Sequence, residues 1–471
     1  MKSVLLLNVV GLTMRQIGER TPNLAALAER GARAPMTTVL PAVTLSAQAT
    51  MLTGTLPSEH GAVGNGWFFR ELGEVWLWRQ PNALVQGKKL YERAKELDPS
   101  FTCAKLFWWW NLGACVDWSL TPKPFYPADG RKLLAIYGTP RGFEDEVEAE
   151  LGKFPFFDFW GPKAGLASSE WLTRAGLRTL ERQRPTLTML YLPHLDYDHQ
   201  RFGPTAPRSL AALSEVDALV GRLVERADEL GVETVVVSEY GIEDVSRPVH
   251  VNRVLREAGL LAVRETPVGE VLDPFASRAF CVADHQVAHV YARDAAAEEA
   301  ARGMLEGLEG VARVLDAESK AGAGLDHARA GELVLVAAKG AWFTYDYWLD
   351  ERNAPDFAPT VDIHRKPGYD PCELFLDPKL RMPMLRVARR LLQKKLGMRY
   401  LMDVVPLDAT LVRGSHGRLP DDPLDGPVFL ATRPFAECGG EPAEGVVRMT
   451  SVPDRLLALL GPSSPRRRQR E

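Results

Sequence analysis

Three stretches, residues 4–10, 186–192 and 233–238, are almost unbroken runs of Val, Leu, Ile, Met and Thr. A strand apolar on every residue must be covered on both faces, which is the condition of a parallel sheet packed between two helical layers. Helical stretches lie between these runs. Thr21-Pro22-Asn23 opens one, with Pro22 just inside its start and Gly31 as a stop. Residues 45–52, 168–181 and 209–230 supply others. The predicted fold class is therefore α/β, with a mostly parallel sheet covered by helices on both faces. In such sheets, ligands sit beyond the carboxyl ends of the strands.

From residue 261 the texture changes. Residues 280–291, 295–308, 312–315 and 332–338 read as strand, helix, strand and strand, a smaller α+β cap. The expected organisation is a core over residues 1–260, a cap or insert over 261–404, a return to the core over 405–437 by a strand at 407–412, and a C-terminal extension over 438–471. Residues 342–378 read as an irregular segment of the length that usually carries function. The tryptophan-rich run 107–110 reads as core by default, with a substrate-facing wall as the alternative.

A formal net charge of -4 gives no global drive toward a nucleic acid duplex. The run Arg466, Arg467, Arg468 and Arg470 reads as a solvated tail. No segment approaches the ~20 apolar residues of a membrane span, and residues 4–7 are too short for a signal-peptide core. Five scattered cysteines form neither a disulfide framework nor a zinc pattern, so a cytoplasmic location is expected. The sequence assigns no oligomeric state.

Three residues able to bear metal or proton chemistry follow predicted strands in separate parts of the chain: Asp196, Glu239 and His416. Around them lie Thr21-Pro22-Asn23-Leu24, Thr44 through Thr53-Gly54, Pro57-Ser58-Glu59-His60-Gly61 with Gly64-Asn65, Gly203-Pro204, Ser238-Glu239-Tyr240-Gly241 and Gly414-Ser415-His416-Gly417. In order and separation this series resembles the type I phosphodiesterase and nucleotide pyrophosphatase family of the alkaline phosphatase superfamily, including its phosphonoacetate hydrolases.

The resemblance implies a metal-dependent hydrolase acting on phosphodiester or phosphonate bonds of a small phosphorylated molecule. It implies Thr44 as nucleophile, activated by divalent metal, with zinc, manganese or magnesium as candidates. It implies Asp196, His416 and Glu239 as metal ligands and Asn65 as a donor to a phosphate oxygen. The family's ligands are three aspartates and three histidines, and this sequence departs at four positions: Val10, Gln200, Glu239 and Tyr240. Asp196 and His416 stand as in the family. Asp196 and Glu239 leave only two carboxylates, and Gln200 offers a neutral carbonyl, so a dizinc centre is not expected. The site of Asp196, Gln200 and His416 is the expected survivor. The alternative is an altered or inactive relative that binds a phosphorylated small molecule or a protein partner.

Other groups have ordinary readings. Thr44 can cap the helix at 45–52, and His60 can buttress the turn before Gly61. His199 points away from Asp196 if its segment is helical, and could replace Gln200 if the segment is irregular. His285 and His289 read as a hydrogen-bonded pair on one face of a strand, packing the cap. Asp362 and His364 share a face if extended, and are candidate substitute ligands.

Overall fold

A computed structural model describes residues 1–128, 132–398 and 400–461. The basic run at 466–470 lies outside the described residues. Strands Val4–Val9 (β1), Arg33–Pro35 (β2), Cys103–Leu106 (β3), Trp118–Pro122 (β4), Ile136–Thr139 (β5), Leu187–Leu192 (β6) and Glu233–Val237 (β7) belong to the main sheet. Ala279–Asp284 (β8), Val287–Ala292 (β9), Val311–Leu315 (β10) and Leu333–Ala337 (β11) form a second sheet, and Val428–Ala431 (β12) returns to the first. The helices that matter for the site and its surroundings are Pro22–Arg30 (α1), Thr44–Thr53 (α2), Leu166–Arg182 (α3), His194–Phe202 (α4), Pro207–Glu229 (α5), Ala295–Leu305 (α6) and Pro383–Lys395 (α7).

The main sheet runs β2-β12-β7-β1-β6-β3-β4-β5. Its five central strands are parallel, with β5, β12 and β2 paired antiparallel at the edges. Alternation along β1 builds two cores. Leu5, Leu7 and Val9 face Leu24 and Leu27 of α1, Trp171 of α3 and Val216 and Val220 of α5. Val4 and Leu6 face the other layer, which holds Leu45, Met51 and Leu52 of α2 and Leu456 and Leu459 of the helix Val452–Leu460. The α/β class with a mostly parallel sheet, expected from the apolar runs, is the one observed.

Two expectations fail locally. Residues 407–412 form no strand. Asp408 accepts the Thr410 N–H and closes a 3-10 turn over Ala409–Leu411, so the main sheet is rejoined only by β12. Residues 280–291 are not one strand but the hairpin β8–β9, which turns at His285-Gln286. His285 has φ +60°, an uncommon conformation for a residue with a Cβ. The turn sends the His285 ring out of the cap sheet toward the main-sheet site.

Candidate functional site

Three neighbouring strands of the parallel set, β7, β1 and β6, each deliver a polar group to one place. β1 supplies Asn8, which lies level with Tyr191 of β6 and Val237 of β7. β6 leads into α4, whose first turn carries Asp196. β7 leads directly into Glu239 and Tyr240. His416 arrives on the two-residue strand Gly414–Ser415, which pairs with Glu243–Asp244. A Cβ on Gly414 would lie 2.1 Å from the His199 carbonyl oxygen, so only glycine lets this segment approach α4.

These groups form one buried hydrogen-bonded cluster. Thr44 Oγ1 is 3.2 Å from the Tyr240 hydroxyl, which donates to Asp196 Oδ1 at 3.3 Å. Gln200 Nε2 donates to Asp196 Oδ2 at 2.7 Å, and Gln200 Oε1 accepts from the Tyr369 hydroxyl at 2.8 Å. Glu239 Oε1 accepts two amide donors at 2.6 Å each, Asn8 Nδ2 and Gln48 Nε2. Gln48 Oε1 in turn accepts the Trp109 backbone N–H at 2.8 Å.

Rings complete the circuit. Tyr240 stacks on His416 with centroids 3.5 Å apart and planes 7° from parallel. His416 lies 3.7 Å from His285, and His285 lies 3.7 Å from Tyr369. The path Asp196–Tyr240–His416–His285–Tyr369–Gln200 therefore closes on Asp196, partly by hydrogen bonds and partly by ring faces. Tyr369 also adjoins Trp78 and Trp160, and Trp78 adjoins Trp109. Beside Tyr240 lies a cavity of about 450 Å³, with Thr38, Gln286, Lys339 and Arg418 in its walls.

Burial sets the protonation of the cluster. It pushes Asp196 up to about 7, against the hydrogen bonds from Gln200 and Tyr240. It pushes Glu239 up to about 8, against the Gln48 and Asn8 amides. Burial also takes His416 down to about 3 and holds His285 well below its ordinary value, with His416 as a second cause. Tyr240 is raised well above the usual phenol range by burial and by the neighbouring Asp196 and Glu239. The cluster is a proton-sharing assembly with neutral imidazoles.

The structure thus brings Thr44, Asp196, Glu239 and His416 together, but its donors do not fit a pair of divalent ions. Among the described residues, no three His, Cys, Asp or Glu groups are placed to hold one. His416 Nδ1 donates to the Ala42 carbonyl at 2.8 Å, and Nε2 stands 3.9 Å from Asp196 Oδ1. Gln200 turns its NH2 toward Asp196, not the carbonyl expected of a ligand. The Tyr240 hydroxyl, between the Thr44 alcohol and the Asp196 carboxylate, joins them through protons.

The remaining candidates are engaged elsewhere. Asn65 Oδ1 accepts the Leu45 N–H at 3.0 Å, and its Nδ2 donates to Asp284 Oδ1 at 3.0 Å, so this amide ties the start of α2 to the cap hairpin. Thr44 is the first residue of α2 rather than its cap, which is Val43. His60 Nε2 is 2.9 Å from the Thr50 hydroxyl, the buttress expected of it. His199 lies on the far side of α4, near Gly11. His289 bonds the Val63 carbonyl at 2.9 Å and shares no face with His285, which the turn has removed from the strand. His364 Nδ1 is 3.4 Å from the Leu77 carbonyl, and Asp362 pairs with Arg365 at 3.2 Å.

Sequence reasoning missed His285 and Tyr369 as members of the site, and Gln48 altogether. One signal was present for His285: Asp284-His285-Gln286 is a polar triplet inside an otherwise apolar run, the mark of a hairpin turn.

With this geometry in hand, comparison with known proteins is decisive. The sequence pattern of the family described as type I phosphodiesterase / nucleotide pyrophosphatase matches residues 4–370. The chain belongs to that family. An uncharacterized pyrophosphatase/phosphodiesterase of Schizosaccharomyces pombe is 27% identical over 233 residues, 48% of this chain and 41% of that relative's own length. The crystal structure of phosphonoacetate hydrolase from Sinorhizobium meliloti 1021 in complex with phosphonoformate superposes with a TM-score of 0.61 at 17% identity, over 97% of this chain and 96% of the other. Murine ectonucleotide pyrophosphatase / phosphodiesterase 5 gives 0.56 at 16%, over 98% and 95%. At these identities the two structures establish the shared fold. This member of the phosphodiesterase family carries Thr44 at the start of α2, beside Tyr240.

Proposed function

We propose that this phosphodiesterase-family protein binds a small phosphate or phosphonate ester without the two-metal hydrolysis of its family. The observation that carries this reading is the position of the Tyr240 hydroxyl, 3.2 Å from Thr44 Oγ1 and 3.3 Å from Asp196 Oδ1. A threonine alcohol needs a cation or a strong base to attack phosphorus. Here its neighbour is a phenol held well above its ordinary pKa, which is a poor base. Glu239 has one oxygen saturated by two neutral amides, Asn8 Nδ2 and Gln48 Nε2, and burial raises its pKa to about 8.

The ligand would enter the cavity beside Tyr240, whose volume falls within the usual range for small-molecule sites. Arg15, Lys339 and Arg418 are the cationic side chains in its walls, each paired with a carboxylate that a phosphate group would have to displace or share. Solved relatives carry phosphonoformate, phosphonoacetate or AMP, which makes these the first ligands to try.

A second reading keeps hydrolysis, because Thr44, Asp196 and His416 do sit in one cluster. Thr44 would be the nucleophile, and Asp196, His416 and Glu239 would hold one hard ion after rearranging.

Elemental analysis after loading with zinc, manganese or magnesium separates the two readings. It is paired with turnover of bis(4-nitrophenyl) phosphate by wild type and Thr44→Ala, and with calorimetry of AMP and phosphonoacetate in EDTA. The proposal expects substoichiometric metal, no Thr44-dependent turnover and ligand binding that survives EDTA. Stoichiometric metal with turnover abolished by Thr44→Ala would establish the hydrolase instead. The variant Val10→Asp/Gln200→His/Glu239→Asp/Tyr240→His, which rebuilds the family's ligand pattern, is expected to take up metal.

A further inference from the structure

Helix α7, Pro383–Lys395, is inside out. At 100° per residue, Met384, Leu385, Leu391 and Leu392 fall on one face, continued by Leu396, while Arg386, Arg390 and Gln393 fall on the opposite face. In an ordinary surface helix the apolar face would be turned inward. Here the opposite, polar face carries a hydrogen-bonded tie to the rest of the chain: Arg386 and Arg390 both pair with Asp403. The apolar side chains, with Met398, stand 48% to 67% exposed. So concentrated an apolar surface on a folded protein marks a contact face.

Charge identifies what the face meets. Between Asp377 and Asp403 the sequence has eight Lys or Arg and no Asp or Glu. Arg381 and Arg389 are exposed at the edge of the apolar stripe, and Lys395 is exposed within it. A second copy would bring two such cationic rims together and repel. A surface that is apolar inside and anionic at its boundary matches both features, and that is a bilayer containing anionic lipid. We propose that α7 is an interfacial helix that docks this protein on anionic membrane surfaces. Lying flat, its 13 residues extend ~20 Å along the headgroup boundary, with Leu385, Leu391 and Leu392 entering the acyl region. No described helix is long and apolar enough to cross a membrane, so the contact is peripheral.

Co-sedimentation of the full chain with phosphatidylcholine vesicles, with and without about one-third phosphatidylserine, tests this. Binding to the anionic vesicles is expected, at least about tenfold weaker on pure phosphatidylcholine and weakened again by salt. Leu385→Gln/Leu392→Gln is expected to lower it at least about tenfold. Arg389→Gln/Lys395→Gln is expected to lower it by a similar factor with every apolar side chain kept. Circular dichroism of each variant is expected to match wild type, since all four side chains are exposed.

Absence of binding to anionic vesicles at low salt would overturn the proposal. So would binding indifferent to both variants. A wild-type dimer in sedimentation velocity that Leu385→Gln/Leu392→Gln converts to monomer would assign the face to a second copy instead.

Discussion

The cluster around Tyr240 and the helix α7 depart from ordinary burial in opposite directions. In the first, Asn8, Thr44, Gln48, Asp196, Glu239 and His416 are all buried, a concentration of polar groups that water would normally claim. In the second, a stripe of Leu and Met faces solvent while the arginines of the opposite face pair with Asp403. Each inversion has a cost, and the costs are met differently. The buried cluster meets most of its polar groups internally, through amide donors, shared protons and stacked rings. It leaves Asn8 Oδ1 and Glu239 Oε2 without a hydrogen-bond partner among the described residues, so its stability depends on each pair that is made. Among the described residues nothing covers the helix face, and the proposal places its partner outside the chain. Damage should therefore be severe in one region and nearly silent in the other.

The largest effect is expected at Lys366, which ties the irregular segment bearing Tyr369 into the fold. Its ammonium, 1% exposed, lies 2.7 Å from Asp370 Oδ2 and 2.9 Å from Glu373 Oε1, and these carboxylates hold it above its ordinary pKa. Lys366→Met leaves two buried carboxylates without their cation. A loss of about 3–5 kcal/mol is expected in urea unfolding, and Tyr369 should leave the ring stack. A loss below about 1 kcal/mol would mean that the segment is held by its apolar contacts alone.

Tyr240→Phe should come next. The ring and its stacking on His416 survive, while the Thr44 alcohol and Asp196 Oδ1 lose the hydroxyl between them. Leaving buried polar groups unpaired costs about 1–3 kcal/mol. The same change tests the proposed chemistry: if Thr44-dependent turnover appears or rises in Tyr240→Phe, the phenol was restraining a competent nucleophile.

Glu239→Gln is expected to act mainly on pH dependence. Folding raises Glu239 from the usual carboxylate range to about 8, so the folded state holds its proton more tightly than the unfolded chain. That contribution is fully present below the unfolded value near 4.5 and is lost as pH rises through 8. The glutamine presents the same oxygen to Asn8 and Gln48 and cannot ionise. Thermal unfolding between pH 5 and about 8.5 should therefore fall less steeply for the variant than for wild type. Parallel curves would place the titration elsewhere, on Asp196 or Asp284, which burial also raises to about 7.

Much of the frame was legible because it depends on patterns local in sequence. Continuous apolarity located β1, β6 and β7, and the ends of β6 and β7 located Asp196 and Glu239. What was illegible depends on partners distant in the chain. Nothing local marks Gln48 as the donor to Glu239, 191 residues away, or Tyr369 as the donor to Gln200, 169 residues away. The expected strand at 407–412 failed for a local reason, the cap supplied by Asp408, which an apolar count overlooks. Helix α7 was missed for the opposite reason. Its pattern is strongly amphipathic, but periodicity says only that two faces differ, and the pairing of Arg386 and Arg390 with Asp403 decides which one meets water.

The smallest stability effect is expected on α7, and its smallness carries the comparison. Leu385→Gln/Leu392→Gln removes two large apolar side chains, which in a core would cost several kcal/mol. Because both are more than half exposed and glutamine is nearly as good a helix former as leucine, the expected change in urea unfolding is within about 0.5 kcal/mol. Removing apolar surface from water in the folded protein should, if anything, improve solubility. A loss of 2 kcal/mol or more would mean that the stripe is covered within the isolated protein, as in a dimer, and that the inversion is only apparent. A silent pair beside a costly Tyr240→Phe would leave the two regions as they look: one polar interior closed by its own chain, and one apolar exterior shaped for a surface that the chain does not contain.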